Sequence, residues 1–215
     1  MKEWKGNSRA GTRILGVKTD HTTKGREKDD FYATDPVALE KLLDGGTQWL
    51  RNILDNFTIL EPACGNGNLS MCLEKRGHTV VSCDLKDRGY GITGKDFLQF
   101  KNISAFNRQK KFPIFCVILT NPPYSLATEF AEHALEILPD NGLYIALMNI
   151  TYLASKKRYE RIYQYGTLRE VYIFSSRINC YRNNDKENYG AQAMIDFAWY
   201  VFQKGYKGQP TLYWL

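Results

Sequence analysis

The chain has 215 residues, 43% of them hydrophobic, which suits one α/β domain with a sizeable buried core. No apolar run approaches the length of a membrane span, and the opening residues Met1-Lys2-Glu3-Trp4-Lys5 lack the apolar region of a signal peptide, so a cytoplasmic chain with no membrane partner is expected. A formal net charge of +6 favours a polyanionic partner, while five cysteines without a Cys-x-x-Cys pair and only three histidines argue against disulfides, a metal centre or a Ser-His pair.

Residues 1–30 mix Gly, Thr, Lys and Asp with little periodicity and read as an irregular, disorder-prone basic arm; residues 31–215 read as a single folded domain. Asp35-Pro36 is a helix start, with Asp35 as N-cap and Pro36 in the first turn, followed by Val37, Leu39, Leu42 and Leu43 and ended by Gly45-Gly46. A second amphipathic helix is predicted over 49–55. A short buried strand over 57–60 then leads into Glu61-Pro62-Ala63-Cys64-Gly65-Asn66-Gly67-Asn68, and a helix over 69–76 is stopped by Gly77. Strand, glycine-rich turn, helix is the arrangement in which backbone closely approaches a nucleotide-like ligand; the dinucleotide fingerprint itself fails, because Ser70 stands where its third glycine belongs.

Residues 79–83 form the next predicted strand, and Asp84 at its end is placed to accept both hydroxyls of a ribose. Lys95-Asp96-Phe97 follows a loop containing Gly89, Gly91 and Gly94. An apolar run over 115–119, too hydrophobic to face water on either side, would deliver Asn121 to the carboxyl edge of a buried parallel sheet. There Asn121-Pro122-Pro123-Tyr124 makes a stiff loop, since both prolines fix φ and donate no hydrogen bond. Its acceptors, the Asn121 side-chain oxygen and the Pro122 carbonyl, suit an exocyclic amino group, and Tyr124 offers a flat face for a planar ring.

A helix over 125–138 carries Leu126, Ala127, Phe130, Ala131, Ala134, Leu135 and Leu138 at helical spacing. Further predictions are a strand over 143–148, a charged helix over 155–165 closed by Gly166, and strands over 170–174 and 193–201. Between the last two lies an irregular segment, 175–190, with Arg177, Tyr181 and Arg182 as candidate substrate-binding residues. Basic residues gather at Lys101, Arg108, Lys110 and Lys111, and again at Lys156, Lys157, Arg158, Arg161 and Arg169; they read either as a polyanion-facing surface or as solvated helix faces.

Asn121-Pro122-Pro123-Tyr124 resembles the signature of S-adenosylmethionine-dependent methyltransferases that modify an amino nitrogen in a planar system. Residues 30–36, Asp-Phe-Tyr-Ala-Thr-Asp-Pro, resemble the motif preceding the glycine turn in small Dam-like N6-adenine DNA methyltransferases of bacteriophages and mobile elements. The resemblance implies an α/β class I (Rossmann-like) methyltransferase fold: a seven-stranded, mostly parallel sheet with an antiparallel last strand and helices on both faces. It also implies S-adenosylmethionine as cofactor, DNA as partner, and Asn121, Pro122, Pro123 and Tyr124 as the catalytic set. By the same match, Tyr32 and Thr34 hold the cofactor's carboxylate end, Glu61 its ammonium, Pro62, Cys64, Gly65 and Gly67 line the turn, Asp84 takes the ribose, and Asp96 and Phe97 take the adenine. Motif spacing leaves no room for the target-recognition domain of larger members. RNA adenine, a protein glutamine, or an inactive nucleic-acid-binding subunit remain the alternative readings.

Overall fold

The computed structural model describes residues 32–103, 115–176, 178, 180–182 and 196–215. The arm 1–30, Arg108, Lys110, Lys111 and Arg177 lie outside the described residues, as do the side chains of Tyr32, Tyr181 and Arg182. The elements in chain order are β1 (Tyr32–Thr34), α1 (Pro36–Gly45), α2 (Gln48–Asn56), β2 (Thr58–Glu61), α3 (Asn68–Lys75), β3 (Val80–Ser82), β4 (Phe115–Thr120), α4 (Ala127–Ile137), β5 (Leu143–Asn149), α5 (Lys156–Arg161), β6 (Leu168–Ile173), β7 (Cys180–Arg182), β8 (Phe197–Gln203) and β9 (Thr211–Trp214). None of the described helices is long and apolar enough to cross a membrane.

Seven strands form one sheet in the order β3-β2-β4-β5-β8-β6-β9, and only β8 runs against its neighbours. Its central strands are apolar on both faces, as expected when helices cover each side. In β5, Leu143, Ile145 and Leu147 face a core shared with α1, α2 and α3, whereas Tyr144, Ala146 and Met148 face one shared with α4. β8 alternates likewise, with Phe197, Trp199 and Val201 on the first side and Ala198, Tyr200 and Phe202 on the second. Buried Trp199 also donates from Nε1 to the Ala38 carbonyl at 2.8 Å, tying the sheet to the start of α1.

Helix α1 begins as its sequence dictates: the Asp35 side chain accepts from the Val37 N–H at 3.1 Å, and Pro36 occupies the first turn. Elsewhere the structure departs from expectation. The predicted helix over 125–138 opens with a 3-10 turn, Tyr124–Leu126, because Pro123 holds φ −54 and ψ 122 and its carbonyl takes the Leu126 N–H. The predicted helix over 155–165 breaks at Ile162, which turns into the core, and resumes as a 3-10 turn over Tyr163–Tyr165. The antiparallel strand is second to last. The seventh strand is β9, which pairs parallel with β6 and whose aromatic and β-branched residues, Thr211-Leu212-Tyr213-Trp214, are the signal a closer reading would have used.

The segment 175–190 is not wholly irregular either. Cys180–Arg182 pairs antiparallel with β1, matching Thr34 with Cys180 and Tyr32 with Arg182. A three-residue ladder joining positions so far apart leaves no periodicity in the sequence.

Trp199→Phe should cost about 0.5–1.5 kcal/mol by removing the indole N–H that the Ala38 carbonyl accepts, and Trp199→Ala about 3–5 kcal/mol by opening a cavity as well. Urea unfolding measures both; a Phe variant as stable as the parent would show that the tie to α1 contributes nothing.

Candidate active site

Parallel register aligns the carboxyl ends of β2, β3 and β4, so Glu61, Asp84 and Asn121 leave the sheet along one edge. Glu61 is only 1% exposed, and Ser70 donates its hydroxyl to the carboxylate while standing 2.5 Å from the Ser82 hydroxyl. Burial drives the Glu61 carboxyl up to about 8, against the opposing pull of the Ser70 hydrogen bonds. Ser70 therefore replaces a fingerprint glycine for a physical reason: a buried acid needs a donor beside it.

Gly65 and Gly67 both take left-handed φ, 56° and 84°. At Gly67 an added Cβ would run into the Tyr90 ring, so this glycine makes room for the protein's own side chain. Cys64 is buried beneath the same loop, and its thiol is pushed up to about 12, chiefly by burial, which leaves it a packing residue and no nucleophile.

Asp84 fastens the turn to the next strand. One carboxylate oxygen accepts the Gly65 N–H and the other the Lys86 N–H, each at 2.8 Å. A carboxylate has about four acceptor sites, so both oxygens keep capacity for a ligand. Beyond it opens a cleft of 220 Å³ lined by Pro62, Asp84, Asp96 and Phe97 together with Asn121 and Pro123. Lys86, Arg88, Lys95, Leu126 and Phe130 also line it and were missed by sequence reasoning. Asp96 accepts the Leu98 N–H at 3.0 Å, capping a 3-10 turn, and Phe97, 2% exposed, packs its ring 4.9 Å from that of Phe130.

Thr34, Glu61, Cys64, Gly65 and Gly67 do not line this cleft, nor do Pro122 and Tyr124. The Tyr124 ring is half-buried and packs at 5.9 Å from Phe197 on the α1–α3 side of the sheet. Asn121 donates its side-chain N–H to the Thr34 hydroxyl at 2.8 Å, so the hydroxyl assigned by resemblance to the cofactor also meets the carboxamide.

The described arginines of the basic stripe after Asn149 are half-buried and engaged with the protein's own groups. Arg161 pairs with Glu129 and Glu132 on α4, Arg158 donates to the Tyr152 and Thr151 carbonyls, and the Arg169 guanidinium lies 3.7 Å from the Trp49 ring. Of the α5 cations, Lys156 and Lys157 face solvent.

No protein-family model matches the sequence, and no curated protein matches it either. Solved structures do match in shape. A candidate hemolysin from Lactococcus lactis is 14% identical, with a TM-score of 0.54 over 84% of this chain and 91% of that one. A candidate class I S-adenosylmethionine-dependent methyltransferase from Listeria monocytogenes is 14% identical, with a TM-score of 0.51 over 89% of this chain and 68% of that one. This chain has the class I methyltransferase fold. The same fold recurs in DrdV, solved in complex with DNA, at 14% identity and a TM-score of 0.54; there the match covers 86% of this chain and 27% of the other. In the class I frame, the cleft sits beside the glycine turn at the carboxyl edge, where open α/β sheets bind ligands.

The raised Glu61 carboxyl sets a pH dependence. Its folded-state value, about 8, exceeds its ordinary 4.5, so the native state keeps a proton that the unfolded chain releases. Stability from this group is full below about pH 4.5 and is lost as pH rises toward about 8. Glu61→Gln should flatten that loss, read as a smaller fall in the urea midpoint between about pH 5 and about pH 8; parallel curves for parent and variant would refute the assignment.

Proposed function

We propose that this chain transfers the methyl group of S-adenosylmethionine to the exocyclic N6 of adenine in DNA. The observation that carries the reading is the placement of Asn121 at the end of β4, in the same cleft as Asp84 and Asp96. The donor set fits such a cofactor: Asp84 retains acceptor capacity for a ribose diol, and Asp96 with the apolar wall of Phe97 and Phe130 suits a purine bearing an amino group. Bound S-adenosylmethionine supplies an electrophilic methyl on a positively charged sulfur.

Adenine N6 is a weak nucleophile because its lone pair is delocalised into the ring. Acceptance of an N–H by the Asn121 oxygen favours a pyramidal nitrogen, and the same dipole stabilises the positive charge that grows as the new N–C bond forms. N6 takes the methyl as the donor's S–CH3 bond breaks to leave a neutral thioether, and the surplus N6 proton passes to water after transfer, so no side-chain base is required for attack. A target base must leave its stack to reach this edge. Lys86, Arg88 and Lys95 line the cleft and give a polyanion a basic approach. The structural similarity to a protein solved on DNA supports the same substrate class.

Mass spectrometry of DNA and RNA nucleosides, and of protein glutamines, after incubation with chain and cofactor decides the substrate. N6-methyladenine in DNA is expected; its appearance only in RNA, or a methylated glutamine, would redirect the reading, and failure to bind cofactor in calorimetry would end it. Asn121→Ala should lower methyl transfer by about 100-fold with cofactor affinity nearly unchanged. Asp84→Ala should weaken cofactor binding by about tenfold or more.

A further inference from the structure

Thr34 sits at a junction of three parts of the fold. It is the last residue of β1, is 4% exposed, and precedes the Asp35 cap of α1. Its hydroxyl accepts the Asn121 side-chain N–H at 2.8 Å, and its carbonyl accepts the Asn68 side-chain N–H at 2.9 Å. Asn68 opens α3 just after the glycine turn, and the backbone of Thr34 is paired with Cys180 in the β1–β7 ladder. One residue thus joins the glycine turn, the Asn121 loop and the strand that follows β6.

A carboxamide presents two opposite chemistries on nearly identical shapes. Rotation by about 180° about its last bond exchanges an acceptor for a pair of donors. A substrate amino group, itself a donor, is met productively only by the oxygen. We propose that Thr34 is a positioning residue which, by holding Asn121 Nδ2, fixes the carboxamide so that Oδ1 is the atom offered to the substrate amine. The inference rests on the methyl-transfer reading above, and it differs from the cofactor-carboxylate role that resemblance implied for this hydroxyl.

Thr34→Val keeps the shape and removes the hydroxyl, whereas Thr34→Ser keeps the hydroxyl. The Val variant should lose roughly 10- to 100-fold in kcat, as is usual when an orienting partner is removed, with cofactor Kd within about twofold; Ser should recover most of the rate. In an Asn121→Ala background, Thr34→Val should add no further loss. A Val variant with parental kcat, or one whose defect lies in cofactor Kd, would overturn the proposal. If the parent transfers methyl to none of the substrates, the functional reading fails, and the Asn121 side-chain amide protons followed by NMR exchange still judge the positioning claim. Protection in the parent and in Thr34→Ser, lost in Thr34→Val, supports it; equal exchange in all three overturns it.

Discussion

Three neighbouring strands running the same way, β3, β2 and β4, are the constraint on which the rest of this molecule depends. Parallel pairing aligns their carboxyl ends, so residues far apart in sequence leave the sheet together. Burial of both sheet faces fixes the register, because a one-residue slip would carry the side chains of β4 and β5 from one core to the other. The cleft is a by-product of that alignment, opening where the strands stop and loops begin.

Polar groups at the edge are held by the protein before any ligand arrives. Glu61 is bonded by Ser70, Asp84 by two main-chain amides, and the Asn121 side-chain N–H by Thr34. Such prior satisfaction has a physical logic: an acid or amide near a dry core is costly unless bonded, and a bonded one is also aimed. The turn glycines show the same economy of space. Gly67 is small because Tyr90 lies against it, and the close approach usually attributed to a ligand is made here by the chain itself.

Charge tells a comparable story about reading a surface from a sequence. A net +6 suggests a polyanion partner, yet the arginines that make α5 and β6 look basic are tied to Glu129 and Glu132, to helix-end carbonyls, and to an indole ring. Cations on the cleft rim, Lys86, Arg88 and Lys95, were unremarkable in sequence because they lie among glycines and acids. Their relevance comes from where β3 ends.

The sequence by itself determined the features that neighbours along the chain control. Asp35-Pro36 capping, the continuous apolar runs of β4 and β5, the left-handed glycines after β2 and the rigid proline loop after β4 all follow from local sterics. Only the tertiary structure decided which side chains meet: Thr34 with Asn121 across 87 positions, Ser70 with Glu61, Tyr124 with Phe197, β7 with β1 and β9 with β6. The physical reason is that a hydroxyl, an amide or an aromatic face can bond equally well to a ligand or to another part of the chain. Residue type names the chemistry available, and the path of the backbone selects the partner.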